Sequence, residues 1–351
     1  MHVYIGSRTT RERNARGEGI SVFDYAPESG SLTLKQVVGG LLNPSYLLPH
    51  PSQPVLYTVH GDSGEISALR RDTRDGTLTP WHAQACQGRN PVHLALDPAA
   101  RYLIVSNHLT GAVAVLPVGD DGALSSVSQT VALAGEPGPH RKEQPFSKPH
   151  YNLVDPSGRY VAVPDKGLDR IFLYGLEDSG ISAQPAGVAA TREGAGPRHA
   201  VFHPAGRWLY VVNELDNTVG AYAVESGSLR AFQVLPTLPD TYTANSRAAG
   251  IAMDARGMHL YASNRGDDSI AVFRIAPDTG RLEAVQHARA HGKTPRFFTL
   301  SPDGRFLFVL NEDTDTLQRF RVDPADGTLA HDNYALRIGS PVCMVFAACG
   351  A

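Results

Sequence analysis

Apolar residues along this chain come in short bursts, bounded by turn residues, and the bursts come in pairs. The clearest pair lies in Gly196–Glu214, GPRHAVFHPAGRWLYVVNE, where HAVF and WLYVV are rich in aromatic and β-branched side chains. His203-Pro204-Ala205-Gly206 separates them. Two such runs around a Pro/Gly turn predict an antiparallel hairpin. A hairpin places the start of its first strand and the end of its second at the same sheet edge. Arg198 and Glu214 occupy those two ends, so a cation and a carboxylate are expected side by side.

The same module recurs. Aligned on a leading proline and a terminal Asn, the copies run Pro44 to His60, Pro91 to Asn107, Pro149 to Asp165, Pro197 to Asn213, Ala248 to Asn264 and Pro295 to Asn311, each with an offset of 16 residues. A seventh start at Ser340-Pro341 lacks its second strand, and His2-Val3-Tyr4-Ile5-Gly6-Ser7 matches that missing strand. Between modules come second hairpins with turns such as Asp75-Gly76-Thr77-Leu78 and Asp326-Gly327-Thr328-Leu329. Successive starts are 47, 58, 48, 51, 47 and 46 residues apart. Four strands in each period of about 40–50 residues is the signature of a β-propeller. No long stretch carries the period-3.6 spacing that a helical solenoid needs. The expected fold is therefore all-β: a seven-bladed β-propeller spanning 1–351 as one domain, its last blade closed by the N- and C-terminal strands. Such closure removes a free sheet edge.

Composition narrows the partners more than the fold. Apolar residues make up 42% and charged residues 19%, with a net charge of −3. No Lys/Arg cluster points to nucleic acid. No apolar run approaches the roughly 18 residues of a membrane span, and no signal peptide is visible at the N-terminus. Three cysteines, Cys86, Cys343 and Cys349, show no metal spacing and point to a reducing cytoplasm. Cys343 falls in a strand and reads as a buried apolar residue.

Candidate chemistry gathers at one mouth of the propeller's channel. The residues one past each proline are Ser45, Val92, His150, Arg198, Ala249, Arg296 and Val342; those one past each terminal Asn are Gly61, His108, Lys166, Glu214, Arg265, Glu312 and Arg8. His150 with Lys166, Arg198 with Glu214, Arg265, and Arg296 with Glu312 make a locally basic mouth on a slightly acidic chain. Arginine presents a planar fork to carboxylate or phosphate, and histidine exchanges protons near neutrality. Hydrolysis of an ester carbonyl needs a base for water and donors for the oxyanion; His150 or Glu214 with the arginines would supply both. The other reading of Arg198–Glu214 is a plain rim ion pair, worth about 0–1 kcal/mol. A solvated rim would leave folding nearly unaffected by substitutions at Glu214 and His150. His93, His199 and His203 read as structural, and His60 and His108 lack a clear partner. Two long connections, Ala134–Lys148 and Pro236–Ser246, are expected on this same face, where loops often carry function. No metal, no cofactor and no G-x-S-x-G nucleophile is expected from the spacing.

Several runs resemble one family. Lys148-Pro149-His150, VPDKGLDRI from Val163 to Ile171, Gly196-Pro197-Arg198-His199, Val212-Asn213-Glu214-Leu215 and Ala262-Ser263-Asn264-Arg265-Gly266 are similar to the seven-bladed lactonases, which include propeller-type bacterial 6-phosphogluconolactonases and the fungal 3-carboxy-cis,cis-muconate cyclase. The resemblance covers essentially the whole chain. It implies a catalytic set of His150, Arg198, Glu214 and Arg265; the rim positions Lys166, Arg296 and Glu312 are expected at the substrate. The implied activity is metal-independent hydrolysis of a small anionic sugar lactone, foremost 6-phosphoglucono-1,5-lactone in the pentose phosphate pathway. A muconate cyclase, or a lactonase for another sugar acid, is the alternative enzyme. A propeller that only binds proteins is the alternative of another class; the basic rim argues against it, since protein-binding faces favour aromatic anchors. The sequence leaves open the anion recognised, the choice between His150 and Glu214 as base, and the oligomeric state, with a monomer compatible.

Overall fold

A computed structural model describes residues 1–348 and arranges 28 strands as seven four-stranded antiparallel sheets. Cys349 lies outside the described residues. The sheets form the seven-bladed β-propeller that the repeat predicts. In the fourth blade the strands are Pro197–Phe202, Trp208–Asn213, Thr218–Glu225 and Ser228–Pro236, from the channel outward.

The 16-residue offset is the register itself. Pro44 pairs with His60, Pro91 with Asn107, Pro197 with Asn213, Ala248 with Asn264 and Pro295 with Asn311. Pro149 and Asp165 keep the match as an isolated bridge. The third blade departs from the pattern, because its innermost strand shrinks to Leu153–Val154. There Asn152 turns to the second blade, donating to Ser106 Oγ at 2.9 Å. The turns follow their sequence signal: Asp155 Oδ1 accepts from the amides of Arg159 and Tyr160 at 2.8 and 2.7 Å.

Closure is as expected. His2–Ser7 pairs on one edge with Ile20–Ala26 and on the other with Pro341–Ala347. All six of its residues are buried. Deleting residues 1–7 therefore strips two ladders and uncovers apolar neighbours on both sides. The expected result is loss of cooperative folding at the temperature where the full chain is native, read by circular dichroism melting. An unchanged, monomeric melt would contradict the closure.

The core lies in the wedges between blades. Tyr210 and Val212 of the fourth blade pack against Leu260, Ala262 and Phe273 of the fifth. Polar repeats staple the same wedges. The hydroxyls of Tyr4, Tyr57, Tyr210 and Tyr261 each donate to a turn carbonyl of the next blade, at Gly76, Gly122, Gly280 and Gly327. Gln36, Gln129, Gln233 and Gln286 each clamp the neighbouring outer strand through both amide atoms. A buried phenol or amide with its bonds made holds the blade spacing without a desolvation penalty. No helix among the described residues is long and apolar enough to cross a membrane.

Candidate active site

Two backbone devices aim side chains at the channel mouth. A register shift follows the leading residue in six blades, at Ser45, Val92, Arg198, Ala249-Gly250, Arg296 and Val342. A bulge leaves its extra residue out of the ladder and turns it away from its neighbours. Six of the seven post-Asn residues then bond back across the hairpin: the amides of Arg8, Gly61, His108, Lys166, Glu214 and Glu312 donate to the carbonyls of Ser340, Asn43, Asn90, Lys148, Gly196 and Thr294. Gly196 makes this approach possible: its φ is +64° and a Cβ there would strike Leu215.

Glu214 is the centre. Its Oε2 lies 3.0 Å from Arg198 Nε and 3.2 Å from Arg265 Nη2, and its Oε1 lies 2.7 Å from Lys166 Nζ and 3.6 Å from Arg247 Nη1. The Arg198 contact is an ion pair without in-line hydrogen-bond geometry, since Arg198 Nε makes no hydrogen bond. Arg198 Nη1 meets the carbonyl of Ala249 at 2.7 Å and His199 Nε2 at 2.9 Å, which makes that ring nitrogen an acceptor. Glu312 belongs to a separate group, 3.0 Å from Arg8 Nε and 3.7 Å from Arg296 Nε. Both groups border one small cavity with His150, closed by Ser45, Val92 and Val342.

The expectation of a solvated rim fails. Glu214, Arg198, Lys166 and His150 are each no more than 6% exposed. The propeller's narrow axis brings seven inner strands together, and the long connection 134–148 covers the mouth. Gly167 admits that connection, because a Cβ there would collide with the Phe146 carbonyl. Asp169 anchors it. Oδ1 accepts from Gln144 Nε2 at 2.7 Å and from the Gly196 amide at 2.8 Å, while Oδ2 accepts from the Gly194 amide at 2.7 Å. One buried carboxylate thus positions both the covering loop and the strand that carries Arg198.

Burial shapes the electrostatics. It works against the charge of Glu214, yet Arg265, Lys166 and Arg198 outweigh it and hold the carboxyl well below its usual range. A carboxylate so tied is a poor proton acceptor and a strong orienting group. Burial, reinforced by Arg198, pushes His150 well below 6.5. Its ring is neutral at pH 7, and its buried Nδ1 has no protein partner.

The other histidines behave unevenly. His108 packs its ring 4.9 Å from His150, and His199 lies 5.3 Å from His150 on the other side. Tyr151 bridges His199 to His93, with centroid distances of 4.5 and 3.6 Å. His203 caps its turn, away from the mouth, bonding Gly257 O at 3.2 Å. His60, without an evident partner in sequence, bonds Leu42 O and Ser67 Oγ, both at 2.7 Å.

Sequence reasoning missed Glu143 and Arg247. Glu143 Oε2 lies 2.8 Å from Lys166 Nζ, and its Oε1 lies 2.8 Å from Arg247 Nη1. Glu143 sits in the inserted connection, where the repeat gives no signal. Arg247 directly precedes the aligned Ala248, so its strand position was legible and its partner was not. Beside them opens a cleft of about 440 Å³, lined by His140, Leu215, Asn245, Ser246, Arg247 and Arg265. Among the described residues no three metal-ligating side chains converge.

Comparison with known proteins supplies the family. A family model described as "Lactonase, 7-bladed beta-propeller" matches residues 2–346. A 6-phosphogluconolactonase of Bacillus subtilis is 34% identical over 99% of both chains. Another 6-phosphogluconolactonase, from Formosa agariphila, is 32% identical over 93% of this chain and 94% of its own. The solved structure of a periplasmic gluconolactonase from Pseudomonas aeruginosa superposes with a TM-score of 0.87, at 30% identity over 99% of each chain.

Proposed function

Since the chain belongs to the seven-bladed β-propeller lactonase family and is a lactone-hydrolysing enzyme, we propose that its substrate is an anionic sugar lactone, foremost 6-phosphoglucono-1,5-lactone. The observation that carries this reading is the Glu214 cluster. Four cations crowd one buried carboxylate beside a neutral histidine, and the cleft above is basic.

The roles follow from what each group has free. His150 lines a cavity of about 30 Å³, which has room for water and not for a sugar ring. This reading puts the attacking water in that cavity, which Arg198 lines, and the ring in the larger cleft, which Arg265 lines, the two arginines meeting at Glu214 Oε2. His150 takes a proton from the attacking water as its oxygen bonds the carbonyl carbon. Arg198 and Arg265 stabilise the resulting oxyanion, while Glu214 fixes their orientation. When the tetrahedral intermediate collapses, the ring C–O bond breaks and the leaving alkoxide receives the proton from His150. Because His150 is a weak base, the arginines carry the larger share of barrier lowering. In this reading Lys166 contacts the substrate, while Arg296 borders the small cavity with Glu312 as its ion-pair partner.

A second reading has its own support. The P. aeruginosa neighbour is named a gluconolactonase, so the unphosphorylated lactone is the alternative substrate. Steady-state kinetics on both lactones decides between them: the proposal expects the larger kcat/KM with the phosphorylated ring. His150→Ala is expected to lower kcat by about 10²–10⁴, as for a lost acid–base group. Turnover near wild type in that variant would remove His150 from the mechanism.

A further inference from the structure

We propose that Glu143 is an internal stand-in for the substrate's distal anionic group, and that Lys166 and Arg247 form the oxyanion subsite it occupies. This rests on the lactonase reading above and assigns where the charged tail goes.

Two carboxylates share the same cations. Lys166 Nζ lies 2.7 Å from Glu214 Oε1 and 2.8 Å from Glu143 Oε2; Arg247 Nη1 lies 2.8 Å from Glu143 Oε1 and 3.6 Å from Glu214 Oε1. The inner one is built in, with its side chain 5% exposed at the end of a blade strand. The outer one is replaceable. Its side chain is 23% exposed and hangs from a connection outside the strands. The backbone beneath it stays fixed when the side chain leaves, because Gln144 donates to Lys166 O and Asp169 Oδ1 at 2.9 and 2.7 Å. Rotation about the Glu143 side-chain bonds is enough to vacate the subsite.

Geometry and charge then name the ligand class. Glu143 places one oxygen on each cation, as two oxygens of a phosphate or carboxylate would. With Glu143 withdrawn, Lys166, Arg198, Arg247 and Arg265 face Glu214 alone, four cations to one anion. Lys166, Arg198 and Arg265 are at most 14% exposed in their side chains and Arg247 is 45% exposed, so the excess sits where a buried cluster meets the surface and favours another anion there. The adjoining cleft of about 440 Å³ falls in the range that small-molecule sites occupy. It also lies between the two long connections, so a ligand there touches Arg247 and Arg265 together.

The probe is inorganic phosphate, titrated calorimetrically at low ionic strength into wild type, Glu143→Gln and the double variant Glu143→Gln/Arg247→Ala, with acetate as the carboxylate arm. Glu143→Gln is expected to bind phosphate at least tenfold more tightly than wild type, and the double variant to lose that gain. Tighter binding of phosphate than acetate assigns the tail to a phosphate; the reverse assigns it to a carboxylate. Glu143→Ala repeats the test without an amide that could itself bond the cations, and the same tightening is expected. Phosphate affinity unchanged in both Glu143 variants, or a gain that survives loss of Arg247, overturns the proposal. The titration needs no turnover. An inactive wild type would therefore sink the choice of substrate while leaving the subsite tested.

Discussion

Glu214→Ala is expected to abolish lactone turnover and to destabilise the folded protein by about 3–5 kcal/mol, the typical result of breaking a buried ion pair from one side. The reason is the company the carboxylate keeps. Arg198, Arg265 and Lys166 lie within 3.2 Å of its oxygens, and Arg198 and Lys166 are almost wholly buried. Without the charge those cations repel one another in a medium that screens poorly. At about 2.1 cal/mol/K of unfolding entropy per residue, the loss corresponds to a fall in Tm of roughly 4–7 °C for 351 residues. Glu214→Gln keeps the volume and removes only the charge, so it separates packing from electrostatics. Its kcat should fall by about 10²–10³, as when a group that sets transition-state electrostatics is lost. Differential scanning calorimetry with kinetics on the same preparations checks both numbers. A Glu214→Gln protein that melts and turns over like wild type would make the cluster a spectator.

The second large effect is acid lability, and it arises from the channel wall. Burial pushes His93 and His108 down to about 3, and it holds His150 and His199 well below 6.5. In the unfolded chain all four take up protons near 6.5. Below that pH the unfolded state binds more protons than the folded one, so stability falls as pH falls from 6.5 toward the folded values. Each proton is worth about 1.4 kcal/mol per pH unit. Asp165 opposes this: burial raises its carboxyl to about 6, against the bonds from Ser147 and the Lys148 amide, so its folded form takes a proton early. It offsets one of the four between pH 6 and its ordinary value, leaving about 4 kcal/mol per pH unit. His2, His50, His60, His82, His203 and His331 are all lowered too and add to the same slope. Urea unfolding at pH 7.5, 6.5 and 5.5 should show the midpoint dropping steeply over the last interval. His93→Gln should shallow the slope by about one proton. A flat midpoint from 7.5 to 5.5 would mean that the channel histidines titrate freely.

The two effects bear on different layers of one mouth. Glu214 lies level with the cations, and the histidines line the wall beneath. The rate should fall on the acid side below the ordinary histidine range, in step with His150.

The sequence by itself determined the scaffold. A proline-to-asparagine offset of 16 residues recurs because each inner hairpin must span the same sheet height, so blade number, register and closure were all readable from spacing. The same offset placed Arg198 beside Glu214 and listed every rim position, since hairpin geometry is local. Tertiary structure decided what those positions mean. That His150 is neutral, that Glu214 is sealed among four cations, and that Glu143 closes the top depend on residues from three blades and an insertion meeting at one axis. Asp169 shows the same divide, conspicuous in the sequence as part of VPDKGLDRI but intelligible only once its oxygens are seen to hold Gln144, Gly194 and Gly196. Spacing along a chain reports hydrogen-bonded neighbours on adjacent strands. Burial and charge balance are sums over everything that converges from other blades, and no local pattern carries that sum.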